Sequence, residues 1–294
     1  MKIRMEKPAT CSQEPTMHII EPHIHMYSRT TDDYQAMYEA GIRVCVEPAF
    51  WLGSPRTHPR TFFDYFQHIL EFESQRAARF GIDHYAAISM NPKEADDAEL
   101  AARVIDGMEP YLDHPRCVAV GEVGLNENTQ NEIEAFRRQL LLGEERNMPI
   151  VVHLPHGPKT EGAKIILEII RAEGVTQERI LLDHNDEESI EVSIRSDCYC
   201  GMTVYPYSKL DPARVSEMIR THGAETMMVA GSADWGVSDP LSLLRVVDHL
   251  RQDGHDESVI RKLVHENPND FYNHSPHWTP NFHLEPVPIS EFQR

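Results

Sequence analysis

Two histidines one residue apart, His23 and His25 in Glu21-Pro22-His23-Ile24-His25, close the short apolar run Met17-His18-Ile19-Ile20. Residues two apart in a strand point to the same side, so both imidazoles aim at one spot beyond the strand end. Such a pair is half of a site for a divalent metal. It is also a pattern that packing or solvent exposure produces, so its meaning depends on which other donors the chain delivers. Four more occupy equivalent places. Glu122 lies in Val120-Gly121-Glu122-Val123-Gly124, His153 follows Val152, His184 follows Asp183, and Asp234 ends Gly231-Ser232-Ala233-Asp234. Each has an ordinary alternative: a loop carboxylate for Glu122, a satisfied core histidine for His153 or His184, a turn cap for Asp234. Together they require six coincidences.

Four histidines and two carboxylates can hold one or two divalent ions. Glu122, with two oxygens, suits a bridge, because an imidazole offers one free nitrogen. Paired ions can share a water and lower its pKa. Asp234 can take the nucleophile's proton and pass it to the leaving group, which makes Asp234 and Glu122 the candidate catalytic residues. The set accepts zinc, manganese, iron or cobalt.

The elements that must place these residues form an alternating series. Strand-like runs fall at Met17–Ile24, Val44–Pro48, Tyr85–Ser89, Val118–Val123, Ile150–His153, Ile180–Asp183, Tyr199–Val204 and Met227–Ala230. Segments of helical spacing separate them, at about Asp32–Ala40, Thr61–Phe80, Glu94–Leu112, Asn131–Asn147, Gly162–Glu173, Glu187–Arg195, Pro212–His222, and Pro240–Arg251 continuing to about His265. Asp211-Pro212 and Asp239-Pro240 read as helix starts. Glycines at 41, 81, 174 and 223 follow helical runs. Eight β-then-α units, with no Gly-rich dinucleotide turn after the first strand, predict an α/β fold of the (β/α)8 barrel type. Functional residues of such barrels gather at the C-terminal strand ends, where all six donors fall.

The barrel is expected over residues 17–273, between a flexible extension at 1–16 and a Pro/His-rich arm at 274–294. Acidic residues outnumber basic ones 47 to 28, for a net charge of −19. That balance disfavours non-specific attraction to nucleic acid or anionic lipid. Five cysteines without metal-ligand spacing read as free thiols. No run reaches the length of a membrane span and no signal-peptide segment is recognisable, so a cytoplasmic protein is expected. The sequence leaves oligomeric state open.

A second tier of candidates lies in the loops on the same barrel face. His156 can contact substrate or metal, while Arg56, Lys159 and Lys209 can bind an anionic substrate. Tyr205 and Trp235, with Trp51 and Tyr207, can wall a pocket or simply pack loops together.

The ordered series HxH, GEVGL, VVH, LDH and SAD resembles the TatD family of metal-dependent hydrolases within the amidohydrolase superfamily, over about residues 17–273. The resemblance implies a TIM barrel with a one- or two-metal site and hydrolysis by activated water. It implies that His23 and His25 bind the first metal and that Glu122 bridges. His153 and His184 would bind the second, with Asp234 a ligand and proton carrier. The family's usual GEIGLD reads GEVGLNEN here, with Asn126 in the aspartate position. The loops EPAFWLGSPRT, HMYSRTTDDY and GSADWGVSDP resemble a bacterial TatD-like subgroup encoded beside a prenyltransferase in secondary-metabolite (Ebo) gene clusters. The expected activity is cleavage of an ester, lactone, amide or phosphoester in a small anionic metabolite. The alternatives are a 3′ exonuclease acting on DNA or RNA, and a non-catalytic metal- or metabolite-binding barrel in an assembly.

Overall fold

Along the strands, successive side chains alternate between two apolar environments. Val44, Val46, Tyr85, Ala87, Val151, Leu181 and Met228 pack together inside a barrel. Their neighbours Ala86, Ile88, Ile150, Val152, Ile180 and Leu182 face an outer layer with Phe62, Val104, Phe136 and Ile166 of the surrounding helices. Met227 and Val229 do the same against Val246, Val247 and Leu263. Period-two alternation with both sets apolar is what a strand buried on two faces demands. This computed structural model describes residues 17–288. The expected N-terminal extension, Cys11 and the last six residues of the arm lie outside that range.

The strands are β1 (Ile19–Glu21), β2 (Ile42–Pro48), β3 (Asp83–Ile88), β4 (Cys117–Gly124), β5 (Ile150–His153), β6 (Ile180–Asp183), β7 (Tyr199–Thr203) and β8 (Met227–Ala230). All seven ladders are parallel and run in sequence order from β1 to β8. With a helix or helical turn after each strand, the chain is the expected (β/α)8 TIM barrel. The seam between β8 and β1 is held by other bonds. The Ser232 and His25 amides donate to the His23 and Ala233 carbonyls at 2.8 and 2.9 Å. The buried Glu21 carboxyl accepts from the Gly231 amide at 3.0 Å and the His23 amide at 3.3 Å. Burial pushes this carboxyl up to about 8 against the pull of those two amides.

Several helix limits differ from the sequence expectation. The segment expected from Glu94 begins its α-helix at Ala98, because Pro92–Glu94 forms a separate 3-10 turn and Asp97 caps the Leu100 amide at 3.0 Å. Glu187–Arg195 contracts to one turn, Ile190–Ser193. Asp211 caps its helix as expected, accepting from the Arg214 amide at 2.9 Å. Asp239-Pro240 instead forms a turn, and the helix starts at Ser242. Cys45, Cys117, Cys198 and Cys200 are free and buried, and no helix among the described residues is long and apolar enough to cross a membrane.

The arm after Tyr272 closes the opposite end of the barrel from the predicted site. Trp278, 6% exposed, packs on Tyr85 and Tyr272 with ring centroids 4.9 and 5.2 Å away. His277 Nδ1 meets the Cys117 carbonyl at 2.8 Å, and the Asn281 amide donates to Asp83 at 2.8 Å. The arm therefore covers its own barrel's N-terminal mouth.

Candidate metal centre

The strand rule explains how two donors arrive. Leu181 and Val151 point into the barrel, so Asp183 and His153, two residues on, point inward at the C-terminal rim. His184 would then face outward. Its backbone turns into the left-handed region instead, with φ +67°, which brings consecutive side chains to one site. That conformation costs a non-glycine residue about 1–2 kcal/mol. It is held by the Asp183 carboxylate, which accepts from the His184 amide at 2.6 Å, and by Lys159 Nζ, which donates to the His184 carbonyl at 2.7 Å.

Around the rim, ligand atoms assemble in three groups whose members lie within 4.8 Å of one another: His23, His25 and Glu122; Glu122, His153 and His184; and His23, Asp183 and His184. Glu122 is common to the first two. His23 Nε2 and His25 Nε2 face each other at 3.1 Å. Glu122 Oε1 lies 2.8 Å from His184 Nε2 and 3.9 Å from His23 Nε2.

Three of the four rings are oriented from behind, while the buried His25 Nδ1 has no hydrogen-bond partner among the described residues. His23 Nδ1 meets Asp183 Oδ2 at 2.5 Å, His153 Nδ1 meets the Leu125 carbonyl at 3.0 Å, and His184 Nδ1 meets Thr203 Oγ1 at 2.7 Å. A proton held at Nδ1 leaves the Nε2 lone pair for the centre. This carboxylate- or carbonyl-backed imidazole is how proteins present histidine to a metal.

The electrostatics agree with that use. Burial first, then neighbouring positive groups, holds His25, His153 and His184 well below the ordinary histidine value, in the neutral form that ligates. His23 moves up: burial opposes its charge, but Glu122 and Asp183 outweigh burial. Asp183 moves down because the His23 hydrogen bond and charge overcome its burial. Burial raises Glu122, with His23 and Lys209 pulling the other way. Four buried imidazoles and two carboxylates with convergent lone pairs fit a divalent cation better than they fit one another.

A cavity of about 270 Å³ opens above this cluster, lined among others by His25, Glu122, His153, His156, His184, Tyr205, Lys209, Asp234 and Trp235. Asp234 is in the cavity but not in the three donor groups. Its Oδ1 accepts from Tyr205 Oη and the Gly236 amide, both at 2.7 Å. Burial and then Asp234 push the Tyr205 hydroxyl up to about 12, keeping it a donor. The His156 ring lies tilted against His153, centroids 5.0 Å apart; burial, then Lys209 and Lys159, takes it down to about 4. Lys209 Nζ stands against the His184 ring, 3.0 Å from Nδ1. Burial, partly offset by Glu122 and Asp183, lowers its ammonium to about 8.

Two sequence candidates are engaged elsewhere. Arg56 binds Glu94 through Nε and Nη2, donates to the Phe50 carbonyl at 3.1 Å and lies over the Phe62 ring, away from the cavity lining. Lys159 grips the back of His184 and pairs with Asp186 at 3.6 Å. Position after a strand puts both on the right barrel face but does not set the direction of a long side chain. Sequence reasoning misses Asp183, Thr203 and Lys93 as site residues. Asp183 carries a signal, since it sits two residues beyond an inward leucine; the other two carry none.

A sequence model of the family described as TatD related DNase matches residues 17–230. An uncharacterized metal-dependent hydrolase of Methanocaldococcus jannaschii is 27% identical over 260 residues, covering 86% of this chain and 99% of the relative. Among solved structures, a TatD-like protein from Archaeoglobus fulgidus aligns with TM-score 0.70 and 21% identity over 86% of this chain and 99% of its own. A lactonase from Listeria monocytogenes aligns with TM-score 0.61 and 14% identity over 87% and 95%, a likeness of fold.

Proposed function

The chain belongs to the TatD family of metal-dependent hydrolases, and on that premise we propose that it cleaves an ester, lactone, amide or phosphoester bond in a small anionic molecule. The observation that carries this reading is the pair of three-donor groups sharing Glu122. His23 and His25 would hold one ion, His153 and His184 a second, and Glu122 both, with Asp234 approaching from the β8 loop. Divalent ions, when bound there, would supply the chemistry of water activation at neutral pH and polarisation of the oxygen of the bond to be cut. Asp183 fixes the His23 tautomer. Asp234, its Oδ1 already satisfied by Tyr205 and Gly236, offers Oδ2 to receive the proton of the attacking water and return it to the leaving group. Phe50, stacked on His25 at 3.7 Å, keeps bulk water from the first pair of ligands.

Metal content and turnover test the reading together. Protein purified without chelator should carry roughly two equivalents of one divalent metal, lost in His23→Ala and Glu122→Ala. Asp234→Asn should keep most of the metal and lose turnover on a panel of esters, lactones, amides and phosphoesters. Unchanged turnover in Asp234→Asn would remove the proton-carrier role, and undiminished metal in the other variants would remove the site. The family's description as a DNase favours a 3′ exonuclease as the second reading. The net charge of −19 and the small cavity weigh against it, because a polynucleotide track needs a run of cations. Shortening of labelled single strands by metal-loaded protein, with binding that falls steeply as salt rises, would reverse that order.

A further inference from the structure

The metal-ligand cluster accounts for the floor of the cavity but not for its walls. One wall is a cation. Lys209 is directed into the cavity, its polar contacts are the two ring nitrogens of His184 at 3.0 and 3.3 Å, and it has no carboxylate ion-pair partner among the described residues. The loop that carries it is built to turn back. Tyr207 takes a left-handed backbone, φ +66°, with its side chain 98% exposed. The Lys209 amide donates to the Tyr205 carbonyl at 3.2 Å, and Arg214 grips the Lys209 carbonyl at 2.8 Å. Strain at an exposed tyrosine has no packing return; its effect is to return residue 209 to the site.

Another part of the same lining is aromatic. His25, Phe50 and Trp235 form a stack, with centroids 3.7 and 4.9 Å apart, and Trp51 meets Trp235 edge-on at 5.7 Å. Trp235 remains 45% exposed at the outer end of this stack. It is thus not buried by loop packing, and the stack runs from a candidate metal ligand to the cavity mouth. Lys93 Nζ lies 3.8 Å above the Trp51 ring and lines the same rim.

We propose that the substrate is a small acid bearing a flat apolar group, with its carboxylate or phosphate held by Lys209 and its flat group seated against Trp51 and Trp235. This deepens, and rests on, the hydrolase reading above. A cavity of about 270 Å³ falls just under the range of pockets that enclose drug-sized ligands, so the flat group is of the order of one ring system. Because Lys209 touches His184, the acid group lies close to the bond that is cut. A neutral analogue leaves the part-buried ammonium without an anionic partner, so the site rejects it more strongly than it rejects a change in apolar size.

Titration calorimetry on the zinc-loaded full chain tests this with benzoate, phenyl phosphate, benzamide, acetate and inorganic phosphate. Benzoate or phenyl phosphate should bind roughly tenfold or more tightly than benzamide, acetate and inorganic phosphate; which of the two wins identifies the acid as carboxylate or phosphate. Lys209→Met should abolish the preference for benzoate over benzamide, and Lys209→Arg should retain it. Trp235→Ala should abolish the preference for benzoate over acetate. Melting curves establish that each variant is folded. Binding of both benzoate and phenyl phosphate no tighter than that of benzamide, or an unchanged acid preference in folded Lys209→Met, overturns the proposal. None of these readouts uses turnover. Binding as expected without hydrolysis of any ester, lactone, amide or phosphoester would unseat the hydrolase reading alone, whereas hydrolysis without acid preference would unseat this proposal alone.

Discussion

Asp183 acts through both carboxylate oxygens. Its Oδ2 accepts a hydrogen bond from His23 Nδ1 while Oδ1 accepts from the next amide, so one carboxylate sets a tautomer and pins a left-handed backbone. Asp183→Asn keeps the shape and removes the charge. The expected result is a folded protein with metal affinity reduced roughly 10–100-fold, measured by competition with a chelating dye. An unchanged affinity would show that ring orientation does not depend on the carboxylate's charge. The three neutral histidines make a second prediction, for chelator-stripped protein. Their folded pKa values lie below the ordinary 6.5, so below that pH the unfolded chain binds more protons than the folded one. Their contribution to stability is complete above pH 6.5 and falls as the pH drops. His23, shifted upward, and the raised carboxyls of Glu21 and Glu122 work in the opposite sense, so the histidine contribution is read by difference. Acidification from pH 7 to pH 5 should cost stripped His153→Gln less melting temperature than it costs the stripped parent; equal changes would contradict the assignment.

At the scale of elements, the site depends on strand ends that approach more closely than a side chain allows. Gly124 ends β4 at φ +127°, and a Cβ there would lie 2.4 Å from the His153 carbonyl oxygen. Gly124→Ala therefore combines backbone strain with a clash on a candidate ligand's own peptide. A loss of ~1–3 kcal/mol or more is expected from urea denaturation, along with weaker metal binding. Gly174 supplies the control. It ends the helix Lys159–Glu173 at φ +68°, and a Cβ there would meet nothing within 4 Å, so Gly174→Ala should cost only ~1 kcal/mol and leave metal content alone. Equal effects would mean that the β4–β5 approach is not a constraint. Gly236 does for the β8 loop what Gly124 does for β4, since a Cβ there would fall 2.1 Å from the Tyr205 hydroxyl that binds Asp234.

The whole molecule separates function from closure along the barrel axis. Donors crowd the C-terminal rim, while Tyr272, Trp278 and the arm fill the opposite mouth. Tyr272 even reaches from the floor to the Pro22 carbonyl, donating at 2.7 Å. Trp278→Ala should cost ~3–5 kcal/mol of stability through the lost floor, yet leave metal stoichiometry per folded molecule unchanged, as followed by urea denaturation and elemental analysis. A variant that kept its stability would show that the arm merely lies on the barrel.

The sequence by itself determined the repeating β-then-α order, the apolar strand runs and the places of Glu122 and His153 at the ends of β4 and β5, whereas β1 stops at Glu21 and leaves His23 and His25 in the loop just beyond it. Those follow from local periodicity, which a short window of residues expresses. It also placed the helix cap at Asp211, where a side chain bonds an amide three residues away. It could not decide Asp239-Pro240, the length of the segment after β6, or the reach of Arg56 and Lys159, because these depend on partners distant in the chain. Asp183 pairs with a residue 160 positions away, and His184 enters the site through a backbone turn that no periodicity predicts. Only the tertiary structure brings Lys209 into one cavity with an aromatic stack made from the loops after β2 and β8. Long side chains take their direction from the contacts that surround them, and those contacts exist only once the barrel has closed.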